Sequence, residues 1–135
     1  MAQELAKKLK LKPGARICLI NAPQGYLSTL HPLDCEVKDS LDDNFDWIQV
    51  FTKNKASLDA IFGAARRALV QDGHLWITFP KGTSGMQSDL TRDKGWESAE
   101  GMIWITLCSI DETWSAFCFR HPKAGETLND WRPKM

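Results

Sequence analysis

The chain is expected to fold as a three-layer α/β sandwich around a mostly parallel sheet, closed by an antiparallel hairpin near its carboxyl end. Three observations predict this. Apolar, β-type runs at Arg16–Ile20, Phe45–Phe51 and Gly73–Phe79 alternate with helix-forming stretches. These runs are short and apolar at nearly every position, as strands covered on both faces are. Finally, Met102–Ile110 and Trp114–Phe119 are separated only by Asp111-Glu112-Thr113, a link so short that the two strands must run antiparallel. A length of 135 residues suits one core, so residues 1–120 are read as a single domain and 121–135 as a tail.

In chain order, residues 2–10 place Leu5, Ala6 and Leu9 on one helical face, and Pro13-Gly14 ends that segment. Arg16–Ile20 is the first strand, followed by the breaker-rich turn Asn21-Ala22-Pro23-Gln24-Gly25. Tyr26–Leu30 offers a brief helix. Cys35–Lys38 is a weak second strand within an acidic run (Asp34, Glu36, Asp39, Asp42, Asp43, Asp46) that reads as a solvated loop face. After the strand Phe45–Phe51, Asn54 has the side chain to cap a helix. Leu58, Ile61, Phe62, Ala65 and Leu69 then recur at helical spacing, and Asp72-Gly73 is expected to close that helix. The strand from Gly73 leads into the loop Lys81–Gly85 and a helix expected from about Ser88 to Glu100. Gly95 weakens its middle by roughly 1 kcal/mol relative to alanine. The tail from His121 carries Trp131 as its largest apolar group.

Composition excludes several functions. Basic and acidic residues number 17 each, so the formal net charge is zero. Nucleic-acid binding usually announces itself as a basic excess or stripe, so neither nucleic acid nor an anionic membrane is an expected partner. Cysteines 18, 35, 108 and 118 form no CxxC pair, and histidines 31, 74 and 121 supply no close ligand pair, so no metal site is expected. Cys18, Cys108 and Cys118 sit among strand residues, where reduced core thiols belong. The first residues have no signal-type apolar run, and no stretch approaches ~18 apolar residues; the expected location is the cytoplasm.

Three stretches carry a resemblance to the class I S-adenosylmethionine-dependent methyltransferases. Cys18–Leu27 stands where that family has its first strand and glycine-rich loop, Phe45–Val50 resembles its fourth-strand motif, and Ala68–Ile77 resembles its helix-to-fifth-strand motif. The resemblance implies a shortened, Rossmann-like methyltransferase fold over about residues 12–120. The segment between Lys38 and Phe45 is too short for the family's third strand and its helices. The chain also resembles a family of small uncharacterised bacterial proteins, on Asn21–Gly25, Pro80–Gly85, Asp89–Asp93 and Asp111–Ser115. The first loop departs from the methyltransferase pattern. The positions of its alternating glycines hold Asn21, Pro23 and Gly25, and the acidic strand position holds Leu19. Pro23 lacks a backbone donor and fixes φ near −65°, whereas Asn21 tolerates unusual turn geometry. Asp39 stands near the place of the acid that holds ribose hydroxyls, or is one more member of the acidic loop.

In a parallel sheet ligands bind at the carboxyl edge of the strands. There the fold gathers Asn21, Pro23 and Gly25, the Lys81 loop with Ser84, the helix start with Asp89 and Arg92, and the hairpin turn with Glu112 and Trp114. Lys81 and Arg92 are candidates for an anion, assisted by loop amides and a helix amino terminus. Alternatively Arg92 pairs with Asp89 or Glu112 and fastens the helix to the hairpin. Trp114 stacks on a flat ligand or joins the core with Trp47, Trp76 and Trp104. No Walker spacing, well-placed histidine base or nucleophile signature is present. Two functions remain open. One is a non-catalytic or regulatory domain binding a small molecule or protein partner, without a certain cofactor. The other is a methyltransferase with an atypical cofactor loop, with S-adenosylmethionine as its cofactor. The shortened fold leaves faces on which a homodimer is also an expectation.

Overall fold

The structure, a computed structural model, describes residues 8–12, 14–26, 36–81, 90, 95–99 and 101–123. Its elements are β1 (Arg16–Ile20), β2 (Glu36–Lys38), β3 (Phe45–Phe51), α1 (Lys55–Ala68), β4 (Leu69–Pro80), a 3₁₀ turn (Glu97–Ala99), β5 (Ile103–Ser109) and β6 (Trp114–Arg120). The six strands form one sheet in the order β2-β1-β3-β4-β6-β5. β2, β1, β3 and β4 are mutually parallel, and β6 runs against both β4 and β5. This is the expected sandwich with its carboxyl-terminal hairpin. Because β5 is parallel to β4, the turn at 111–113 lies at the same edge as the ends of β1, β3 and β4.

Alternation along the strands divides the core in two. Ile48, Val50, Leu75, Ile77, Phe117 and Phe119 face α1, whose Leu58, Phe62 and Ala65 are buried against them. Trp96 joins this side through edge-on contacts with Phe79, Trp104 and Phe117. On the opposite face Ile17, Leu19, Trp47, Phe51, Trp76 and Cys118 are covered by Leu9 and Tyr26. Trp47 and Trp76 both donate their indole N–H to the Leu9 carbonyl, at 2.8 and 2.9 Å. The segment before β1 is thus fastened across the middle of the sheet.

Asn54 caps α1 as expected, its side chain accepting the Ser57 N–H at 2.8 Å. The helix end differs from expectation. α1 stops at Ala68, and Leu69 is already extended, so Asp72-Gly73 does not close a helix. Leu69 pairs with Phe45 and His74 with Trp47, so a two-residue advance on β3 matches five on β4. The surplus residues form a bulge, another place where an aspartate–glycine pair belongs. Gly73 is required there for space. A Cβ on it would lie 2.7 Å from Leu69 Cδ1 and 2.8 Å from the Asp46 carbonyl oxygen, and the latter is backbone that cannot swing away. Gly73→Ala is therefore expected to cost about 1–3 kcal/mol in urea denaturation. Gly63→Ala, on the exposed side of α1 with only Arg67 Nη1 at 3.4 Å, should instead stabilise by up to about 1 kcal/mol. Equal effects at the two positions would refute this reading of the bulge.

The helix expected over 88–100 is not continuous. Residues 95–99 form a bend and the 3₁₀ turn Glu97–Ala99, consistent with glycine at 95, whose φ is +97°. Ser88, Asp89, 91–94 and Glu100 lie outside the described residues, as do Trp131 and most of the tail. His121, just past β6, donates from Nε2 to the Leu69 carbonyl at 2.9 Å, and Gln71 donates to the Pro122 carbonyl at 3.0 Å. Among the described residues no helix is long and apolar enough to cross a membrane.

Candidate functional site

At the carboxyl edge a cleft of about 680 Å³ opens between the end of β1, the end of β3 and the start of β6. Asn21, Ala22 and Pro23 form one wall, Lys53 and Ser57 another, and Phe51 and Trp114 an aromatic floor. Its volume falls within the usual range for small-molecule sites.

The β1 loop owes its shape to two left-handed positions, Asn21 at φ +58° and Gly25 at φ +86°. Asparagine is among the few side chains that tolerate this conformation, so Asn21 replaces a glycine without loss of the turn. Between them the Pro23 carbonyl accepts the Tyr26 N–H at 3.1 Å. Tyr26 is buried and anchors the far end of the loop. Its hydroxyl donates to Gln49 Oε1, and Gln49 Nε2 donates to Thr78 Oγ1, each at 2.9 Å. Gln49 and Thr78 are fully buried beneath the cleft, and burial holds the Tyr26 phenol well above its ordinary pKa. Phe51 packs edge-on to both Tyr26 and Trp114, with ring centroids 4.8 and 5.2 Å apart. Trp114 is half-buried: it both completes the core and lines the cleft.

The hairpin turn is held by Asp111, whose Oδ1 accepts the N–H groups of Thr113 and Trp114 at 2.8 and 2.9 Å. Its carboxylate supports the turn that positions Trp114, and Glu112 beside it is exposed. Lys81 stands next to the hairpin rather than in the cleft. Its backbone N–H donates to the Thr113 carbonyl at 2.8 Å, and its ammonium donates to Ser109 Oγ. Lys8 reaches the same residue, donating to the Ser109 carbonyl at 2.6 Å. Asp39 is exposed directly after β2. Its charge and that of Asp42, after burial as the main cause, help push the Cys18 thiol up to about 11, leaving it protonated and unreactive near neutrality. Within the same loop, Asp43 binds Arg16 and lies 3.5 Å from Lys38, so part of the acidic run has basic partners.

Of the residues singled out from sequence, the cleft brings together Asn21, Pro23 and Trp114. Gly25, Asp39, Lys81 and Glu112 lie at the same edge outside its lining, and Ser84, Asp89 and Arg92 lie outside the described residues. Phe51 and Ser57 were missed. Their signal was positional: Phe51 ends a strand, and Ser57 follows the Asn54 cap by one turn. Among the described residues no group of histidine, cysteine, aspartate and glutamate side chains could hold a metal ion.

Neither a protein-family model nor a curated protein matches the sequence. Solved structures do match in shape. A TehB-like SAM-dependent methyltransferase from Corynebacterium glutamicum aligns with 89% of this chain and 87% of its own, at a TM-score of 0.54 and 14% identity. A ribosomal protein L11 methylase from Lactobacillus delbrueckii subsp. bulgaricus aligns over 89% and 76%, at 0.56 and 10%. TehB from Haemophilus influenzae aligns over 87% and 61%, at 0.53 and 8%, so the chain spans under two thirds of that protein. At such identities the likeness concerns the fold, which is methyltransferase-like and shortened.

Proposed function

We propose that this protein is a non-catalytic, methyltransferase-like binding domain that takes a small, flat ligand into the carboxyl-edge cleft. The observation that carries the reading is the cleft's lining. Phe51 and Trp114 offer aromatic surface, Asn21 and Ser57 offer hydrogen bonds, and Lys53 is the only titratable side chain among the described lining residues. Such a set recognises a ring bearing polar substituents and contains no evident base-and-nucleophile pair. Pro23 removes one of the backbone donors with which a glycine-rich loop would cradle a cofactor. Regulation through ligand occupancy follows naturally from a site of this kind.

A second reading, an S-adenosylmethionine-dependent methyltransferase with an atypical cofactor loop, draws support from Asp39. It follows β2 directly, where a carboxylate can accept from ribose hydroxyls. The methyltransferase neighbours make adenosyl compounds the first ligands to try.

A thermal-shift panel of S-adenosylmethionine, S-adenosylhomocysteine and nucleotides separates these readings. At least one compound is expected to raise the Tm saturably in the wild type, and Trp114→Ala to abolish that shift. A shift that survives Trp114→Ala, or no shift with any compound at about millimolar concentration, sinks the binding-domain proposal. Formation of S-adenosylhomocysteine from S-adenosylmethionine with an acceptor present establishes the enzyme instead.

A further inference from the structure

We propose that the amino edge of the sheet carries a second binding site, for a small zwitterion of the α-amino-acid type, held between Lys10 and Lys12 on one side and Asp46 and Asp72 on the other. This site lies at the opposite edge from the cleft and depends on none of its residues. Its cavity holds about 340 Å³ and is walled by these four side chains with Trp47 and His74. That is the low end of the range for small-molecule sites, suited to a ligand of amino-acid size.

The fold makes this cavity from three separate pieces of chain. Lys10 and Lys12 arrive on the segment that the two indoles fasten through Leu9. Asp46 lies near the start of β3, and Asp72 lies in the β4 bulge that Gly73 permits, beside the Trp47–His74 pairing. Lys10 itself adopts φ +60°, a conformation costing a non-glycine residue roughly 1–2 kcal/mol. Strain of this order persists where surrounding structure imposes it, often at binding sites.

Among the described residues no ion pair joins the lysines of this cavity to its aspartates, and neither Lys10 nor Asp72 makes one elsewhere. Asp46 commits one carboxylate oxygen to the Arg16 N–H at 2.9 Å. The two signs come from different pieces of chain, the lysines from the segment before β1 and the aspartates from the start of β3 and the β4 bulge. The half-buried His74 is held below its ordinary value of 6.5 by burial first, then by Lys10, Lys12 and Arg120. The imidazole beside the lysines thus favours its neutral form, able to donate or accept one hydrogen bond. A plain anion would be attracted by the lysines and repelled by Asp46 and Asp72; a plain cation would meet the reverse. A carboxylate and an ammonium on one small molecule satisfy both poles.

The test uses the full chain, ¹⁵N-labelled, with the His74 ring and the amides of residues 10–12, 14–16 and 72–74 as reporters. Pools of the twenty standard α-amino acids are titrated in. At least one is expected to give saturable shifts confined to these reporters. Its N-acetyl and carboxamide derivatives should each bind at least about tenfold more weakly. Lys10→Gln with Lys12→Gln, and separately Asp72→Asn, should weaken binding by a similar factor; all three residues are exposed, so the variants are expected to fold. The proposal fails if no amino acid saturates by about 20 mM. It fails equally if the N-acetyl derivative binds as well as the parent, which marks a simple anion site, or if the variants bind unchanged.

Discussion

Replacing Trp47 and Trp76 together by phenylalanine is expected to destabilise the protein by about 1–3 kcal/mol more than the two single replacements add up to. Both indoles donate to one acceptor, the Leu9 carbonyl, and Leu9, Trp47 and Trp76 are at most 1% exposed. A carbonyl oxygen has two lone pairs, so either single variant leaves it one donor. Each single change then loses a hydrogen bond worth about 0.5–1.5 kcal/mol and some packing volume. The double variant strands a buried carbonyl with no donor, and that desolvation penalty is the excess. Urea denaturation of the four corners of the cycle measures it. Additivity within about 0.5 kcal/mol would mean that water reaches the carbonyl and that the clamp is looser than its geometry. Leu9→Ala should cost about 2–5 kcal/mol on its own, because the side chain fills the space above both indoles.

This clamp also explains why the amino edge escaped the sequence. Residues 2–10 announced a helical face with Leu9 on it, but nothing in their spacing said where Leu9 would dock. Once Leu9 is fixed between Trp47 and Trp76, Lys10 and Lys12 are carried to the start of β3, beside residues more than thirty positions away. The strands themselves were legible because Arg16–Ile20, Phe45–Phe51 and the hairpin arms are apolar runs bounded by turn residues. The topology followed from their alternation with α1. Asp72-Gly73 was misread because the same dipeptide serves a helix end and a bulge, and only the pairing of Leu69 with Phe45 separates the two. At the carboxyl edge, Asn21, Pro23 and Trp114 were legible as oddities: a loop without its expected glycines and an aromatic next to a turn. Phe51 and Ser57 looked like ordinary strand and helix residues. Their contribution depends on the parallel register of β1 and β3, which places Ile20 opposite Val50 and so sets the two loops side by side.

Tyr26→Phe should cost about 1–3 kcal/mol, although it removes a single oxygen. That oxygen is the donor to Gln49 Oε1 in a buried chain running Tyr26, Gln49, Thr78, and the amide left behind cannot turn to water. The cost lies in the orphaned partner rather than in the lost bond. Tyr26→Phe combined with Gln49→Leu and Thr78→Val should accordingly be less destabilising than Tyr26→Phe alone, since apolar groups of similar shape leave nothing unsatisfied. A triple variant worse than the single one would show that the network contributes net stability as a unit. The pH dependence follows from the same burial. The folded phenol is held above the ordinary value of 10.0, so its contribution is fully present below pH 10 and is lost as pH rises past it, where the unfolded chain releases the proton first. Wild type should lose stability above pH 10 more steeply than Tyr26→Phe. Tyr26 also closes the loop that walls the cleft, one residue after Gly25. Amide exchange at Asn21, Ala22, Gln24 and Gly25 should therefore quicken in Tyr26→Phe while exchange in β5 and β6 follows only the global change. Uniform acceleration would detach the buried network from the cleft, and selective acceleration would make it the element that holds the ligand-facing loop in place.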